Sequence, residues 1–135
     1  MIPDAEAIVG AYLRAYADIK SLGARVVGAT PKKKDTAWVQ VTQIDYPAVD
    51  DHRAEYLLEW IGQFDCYAGK DGGQREASLL TRTVRQALSV MATETVDGAV
   101  FSGVRCLSSP RILDTDLEPA RERYALTAAI YLHPA

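Results

Sequence analysis

The sequence predicts an α+β domain of two layers, a mainly antiparallel β-sheet with two helices on one face, in the order α-β-β-β-α-β-β. Three observations predict it. Residues 4–22 and 74–92 repeat apolar side chains at helical spacing. Between and beyond them lie segments in which apolar and polar residues alternate, the pattern of half-buried strands. The connections between these segments are short, which favours antiparallel pairing, and two amphipathic helices can cover one face of the resulting sheet. The 135 residues suit one domain spanning 1–135, with no internal repeat.

Residues 4–22 form the first helix. Ile8, Tyr12 and Ile19, joined by Val9, Leu13 and Tyr16, line one side, Asp4 and Glu6 suit the positive N-terminal end, and Gly23 ends it. Gly10 inside it costs about 1 kcal/mol against Ala, so this helix depends on docking its apolar face. Residues 25–29 read as a short strand, 30–35 as a turn with Pro31, and 36–45 as a second strand in which Val39 and Val41 face opposite to Trp38, Gln40 and Thr42. Residues 46–52 are a connection. Residues 53–67 alternate for longer, with Tyr56, Leu58, Trp60, Phe64 and Cys66 on one side and Glu59, Gln63 and Asp65 on the other, and Gly62 marks a bulge or bend.

A turn at 68–73, with Asp71 or Gly73 as the cap, leads into the second helix at 74–92, whose stripe is Ala77, Leu80, Val84, Leu88 and Met91. Residues 96–108 read as a strand around Gly98 and Gly103, and 109–120, with Pro110 and Pro119, as a loop. The Ala and Leu content of 121–133 favours helix, yet Tyr124, Leu126, Ala128, Ile130 and Leu132 alternate strictly, and this selects strand. Tyr56, Trp60 and Phe64 exceed what two helices are expected to cover. An apolar second face, suited to a subunit interface, is the expectation.

Composition narrows function by exclusion. Apolar residues make up 48% and charged residues 24%, near the globular average. A net charge of −3 argues against a duplex-binding protein that neutralises phosphates. No apolar stretch approaches the length of a membrane span, the first residues carry no signal-peptide pattern, and the two cysteines form no CxxC pair, so a reducing, cytoplasmic setting for synthesis is expected. Asp50, Asp51 and His52 could hold a cation but read as a solvated acidic turn, because no ligand spacing supports a metal site. No G-x-S-x-G nucleophile motif occurs, and Gly69-Lys70-Asp71-Gly72-Gly73 fails as a phosphate cradle because a carboxylate follows the lysine. Neither a catalytic residue nor a cofactor is expected.

Lys32, Lys33 and Lys34 form the sole basic run and read as a solvated hairpin tip or a contact for an acidic partner. Charge is uneven along the chain, basic over 77–113 and acidic over 55–76 and 114–135, a distribution suited to head-to-tail contact between copies.

Across nearly its whole length the chain resembles the tail terminator (tail completion) proteins of long-tailed bacteriophages, especially those of actinobacterial phages. The resembling stretches are Ile2-Pro3-Asp4-Ala5-Glu6, Arg25-Val26 with Pro31, Trp38-Val39-Gln40-Val41-Thr42, the helix from Ala77 to Leu88, Ser109-Pro110-Arg111, Arg123-Tyr124 and His133-Pro134. The lysine run and residues 46–53 depart from that pattern. Head-tail adaptors of the neck and minor tail proteins have a similar size and composition. The resemblance implies a non-enzymatic virion protein, assembled in the bacterial cytoplasm, that closes into a homo-oligomeric, hexameric ring on the major tail tube protein. Such a ring stops tube growth and offers a docking surface to the head-tail connector or stopper protein. DNA would pass through the lumen without sequence-specific binding, eased by acidic residues there. Exposure and charge nominate Lys32, Lys33, Lys34, Asp50, Asp51, His52, Arg53, Arg111, Asp114, Asp116 and Glu118 as contact residues. A small ligand-binding or enzymatic α+β domain is the reading from another class.

Overall fold

A computed structural model describes residues 3–33, 35–46, 57–114 and 121–134 of the chain. The Asp4 carboxylate accepts the Ala7 N–H at 3.2 Å and so caps helix α1, Ala5–Ala15. The expected single helix is in fact two. Tyr16 is extended (φ −68°, ψ 121°), and a second helix, α2, follows at Ala17–Ser21 and buries Ile19. No Gly or Pro marks this break, so local sequence gave no sign of it.

Strand β1 (Arg25–Val27) pairs with β2 (Trp38–Asp45) in parallel, with Val26 opposite Val39. This corrects the expected antiparallel hairpin: parallel pairing needs a crossover between the two strands, and Lys32 and Lys33 stand on it rather than at a hairpin tip. The Arg25 guanidinium donates to the Lys33 carbonyl and ties the crossover down. Strand β3, Leu58–Tyr67, runs antiparallel to β2. Helix α3, Gln74–Met91, buries the whole expected stripe; Gly73 is its N-cap and supplies no side-chain bond.

After α3 the expected single strand is a hairpin, β4 (Thr95–Val96) and β5 (Ala99–Ser108), joined by Asp97-Gly98. Both turn residues have positive φ, 47° and 81°, as the tight hairpin turn that matches strand twist requires. The expected loop at 109–120 also contains a strand, β6, at Arg111–Asp114; residues 115–120 lie outside the described residues. Pro110 does not stop the pairing, because its carbonyl still accepts the Ala125 N–H at 3.0 Å. Strand β7, Arg121–Pro134, is the expected last strand. The sheet order is β1-β2-β3-β7-β5-β4, with β6 also on β7, so every described pairing but β1 with β2 is antiparallel.

Helix α1 packs on β1 and β2, and α3 crosses β3, β7 and β5, all on one face of this curled sheet. Trp60 and Phe64 are fully buried beneath that layer, edge to face with ring centroids 5.9 Å apart. The expectation that they would spill onto a second apolar face is therefore wrong for these two, and Tyr56 lies outside the described residues. Gly62 explains how they fit. It is no bulge, since β3 keeps register with β7 from Leu58 to Tyr67. The Trp60 indole folds over its α-carbon, and a Cβ there would come within 2.1 Å of the ring. The bulges lie elsewhere, between Gln43 and Asp45 in β2 and at Phe101/Gly103 and Cys106/Ser108 in β5.

Candidate interaction surfaces

The nominated contact residues do not converge on one site. Lys32 and Lys33 are exposed on the crossover; Lys34, Asp50, Asp51, His52, Arg53, Asp116 and Glu118 lie outside the described residues. Arg111 lies on β6, where its guanidinium makes a forked pair with Glu122 at 2.9 and 3.1 Å. That hydrogen bond holds the Glu122 carboxyl below its usual titration range. Asp114 ends β6 opposite Arg121. Their expected shared loop is thus partly a paired strand.

The two edges of the sheet differ. Arg25 donates its N–H to Ala37 O, toward β2, which turns the Val26 carbonyl outward, and Arg14 Nε donates to that carbonyl at 3.0 Å. Further along, the Glu6 carboxylate accepts the Gln43 N–H at 2.9 Å. Side chains of α1 therefore satisfy two of the backbone groups that would invite another strand. At the far edge β4 covers only Ala99 and Val100 of β5, and residues 102–108 have no strand partner on that side among the described residues.

The face of the sheet turned away from the helices carries a charged and aromatic cluster. Trp38 and Tyr67 stack with centroids 4.3 Å apart, Arg121 sits 5.9 Å from the Trp38 ring, and Arg123 sits 5.6 Å from that of Tyr67. Arg123 Nη1 also bonds Asp65 Oδ1 at 2.9 Å, and Gln63 Nε2 donates to both Asp65 oxygens. Asp65 is buried and the Arg123 side chain largely so, and their pairing offsets part of the desolvation cost of both charges. Sequence reading missed this cluster. Its one signal is that Arg121 and Arg123 share a face of the last strand, two residues apart, with Asp65 on the neighbouring strand.

On the helical face a groove of about 380 Å³ opens between the end of α2 and the first turns of α3, walled by Leu22, Ala37, Leu79 and Leu80, with Arg75 at its rim. It continues into a hollow of about 300 Å³ walled by Asp35, Thr36, Asp71 and Gly72. Glu76 closes the glycine-rich turn itself: it accepts the Gly69 N–H, and its carboxylate fills the space beside Gly72. An incoming phosphate would meet a carboxylate already in place.

Reactive groups are scattered. Among the described residues no three His, Cys, Asp or Glu side chains gather as metal ligands would. No helix among the described residues is long and apolar enough to cross a membrane. Burial pushes the Cys66 thiol up to about 12, so thiolate is scarce there at neutral pH, whereas Cys106 is partly exposed. A thiol reagent such as DTNB should therefore label one cysteine, Cys106, in the folded protein and both in denaturant. Fast labelling of Cys66 under native conditions would show that the core opens. No protein-family model matches the chain, and no curated protein does either.

Proposed function

We propose that this protein is a structural component of a long phage tail, a terminator that assembles as a ring, most simply a hexamer, on the last ring of the tube. There it stops polymerisation by the major tail tube protein and presents a surface to the head-tail connector or stopper. The reading rests first on the ordered resemblance of the chain to that family, whose members are small α+β proteins like this one.

One structural observation carries it further. Large apolar side chains stand exposed in separate places, Leu22 and Leu79 at the groove and Ile44 and Leu107 at bulges on either side of the sheet, while among the described residues no three His, Cys, Asp or Glu side chains gather. Separate sticky patches suit association with several neighbours, and a closed ring needs two different patches on each copy. The net charge of −3 per copy would let DNA slide past rather than adhere. No cofactor, catalysis or membrane enters this account.

Purified tail tube protein polymerised with and without this protein, viewed by negative-stain microscopy, tests the proposal. The expected result is shorter tubes with a ring at one end. Tubes of unchanged length with bare ends would overturn it, and capture of this protein by portal rings instead of tubes would move it to the adaptor station of the neck.

A further inference from the structure

Leu107 is presented rather than merely exposed. Cys106 lies opposite Ala128 and Ser108 opposite Thr127, so Leu107 is the extra residue of a bulge, which re-aims it to solvent with 47% of its surface exposed. Two positions before it on the same free edge stands Arg105, exposed and in no salt bridge among the described residues. Across the molecule, the groove offers what this pair lacks. Leu22 and Leu79 make an apolar slot, Leu79 being 41% exposed, and the adjoining hollow holds Asp35 and Asp71.

The two patches are well placed to meet on different copies. Groove residue Ala37 immediately precedes β2, and β5 lies three strand spacings away in the order β2-β3-β7-β5, about 14 Å. Strand-to-strand addition between copies is disfavoured at both edges: Arg14 and Glu6 occupy one, and two bulges interrupt the other. Ile44 is the other bulge-presented apolar residue, but it is flanked by acidic Asp45 and belongs to the same side of the sheet as the groove.

We infer that the α2–α3 groove of one copy receives Leu107 of the next, with Arg105 set toward Asp35 and Asp71, a head-to-tail contact that repeats around the ring. This inference rests on the ring reading above and names the surfaces that would build it. Sedimentation velocity of full-length wild type, Leu79→Asp and Leu107→Asp, up to about 1 mM, tests it. Each variant alone should lose self-association by about 100-fold, because a carboxylate replaces the apolar contact. Melting temperatures measured at dilution, where wild type is monomeric too, should stay near the wild-type value, since both positions are exposed.

An equimolar mixture of the two variants is the sharper measurement. One retains the knob and the other the groove, so the mixture should form 1:1 pairs that stop at two. Wild type that remains monomeric at about 1 mM, or variants that assemble as wild type does, would overturn the inference. If the variants assemble normally and tubes are still capped, the ring reading stands without this interface. If association needs both patches and tubes are ignored, the interface stands and the terminator reading falls.

Discussion

Gly62→Ala is expected to destabilise the protein by about 3 kcal/mol, lowering its melting temperature by about 10 °C. A methyl group on that α-carbon would sit 2.1 Å from the Trp60 ring, a distance no real contact sustains, so one of the two must move. The indole has nowhere to go. It is fully buried, its Nε1 donates to Gln43 Oε1 at 2.9 Å, and its ring meets Phe64 edge to face. The backbone is held as firmly, because Gly62 is paired on one side with Gln43 and on the other with Ala128. Relief has to come from the core. Trp60→Leu should itself cost about 3 kcal/mol through lost burial and a cavity. In that background Gly62→Ala should cost less than about 1 kcal/mol, because the obstacle has gone. Urea denaturation followed by circular dichroism across the four proteins measures the coupling. Equal costs of the glycine change in both backgrounds would show that close approach of the indole is not why glycine stands there.

Parts of this architecture are written in local pattern. The α3 stripe and the alternation of β7 each report which side of one element meets the core, and that information survives without knowledge of any partner. Pairing direction does not. Val26 and Val39 look the same whether their strands run parallel or antiparallel, and Arg14, eleven positions before β1, takes part in closing that edge. The Asp97-Gly98 turn was readable, since this pair commonly takes the two positive φ angles of a tight hairpin. Bulges are harder. Each inserts one residue and flips the faces beyond it, so Ile44 and Leu107 become exposed where a simple alternation assigns them no special place. The groove was hidden for a related reason: Leu79 adjoins Leu80 in a helix, and only the position of α2 decides that one is core and the other a wall. Exposure of Lys32 and Lys33 was legible because a lysine run after proline has little other option.

Asp65→Ala should cost about 3 kcal/mol, comparable to a large core truncation, although it removes a carboxylate. The Asp65 side chain is only 8% exposed and accepts from Arg123 at 2.9 Å and from Gln63, so deleting it takes both donors' acceptor away in a place where water replaces it poorly. Two comparisons separate this cause from packing. Replacing both members, as Asp65→Leu with Arg123→Leu, should recover most of the loss, because both charges of the pair go together. Glu122→Gln, which breaks the exposed pair with Arg111, should leave the melting temperature near the wild-type value, since solvent screens that bridge. Raising salt from about 0.05 to 0.5 M should weaken the Arg111 pair more than the Asp65 effect, because ions screen a pair with an exposed guanidinium more than one whose carboxylate is buried. An Asp65→Ala protein as stable as wild type, or a double variant no better than the single, would mean that the reverse face of the sheet is held by the Trp38–Tyr67 stack alone, with the buried ion pair contributing register at most.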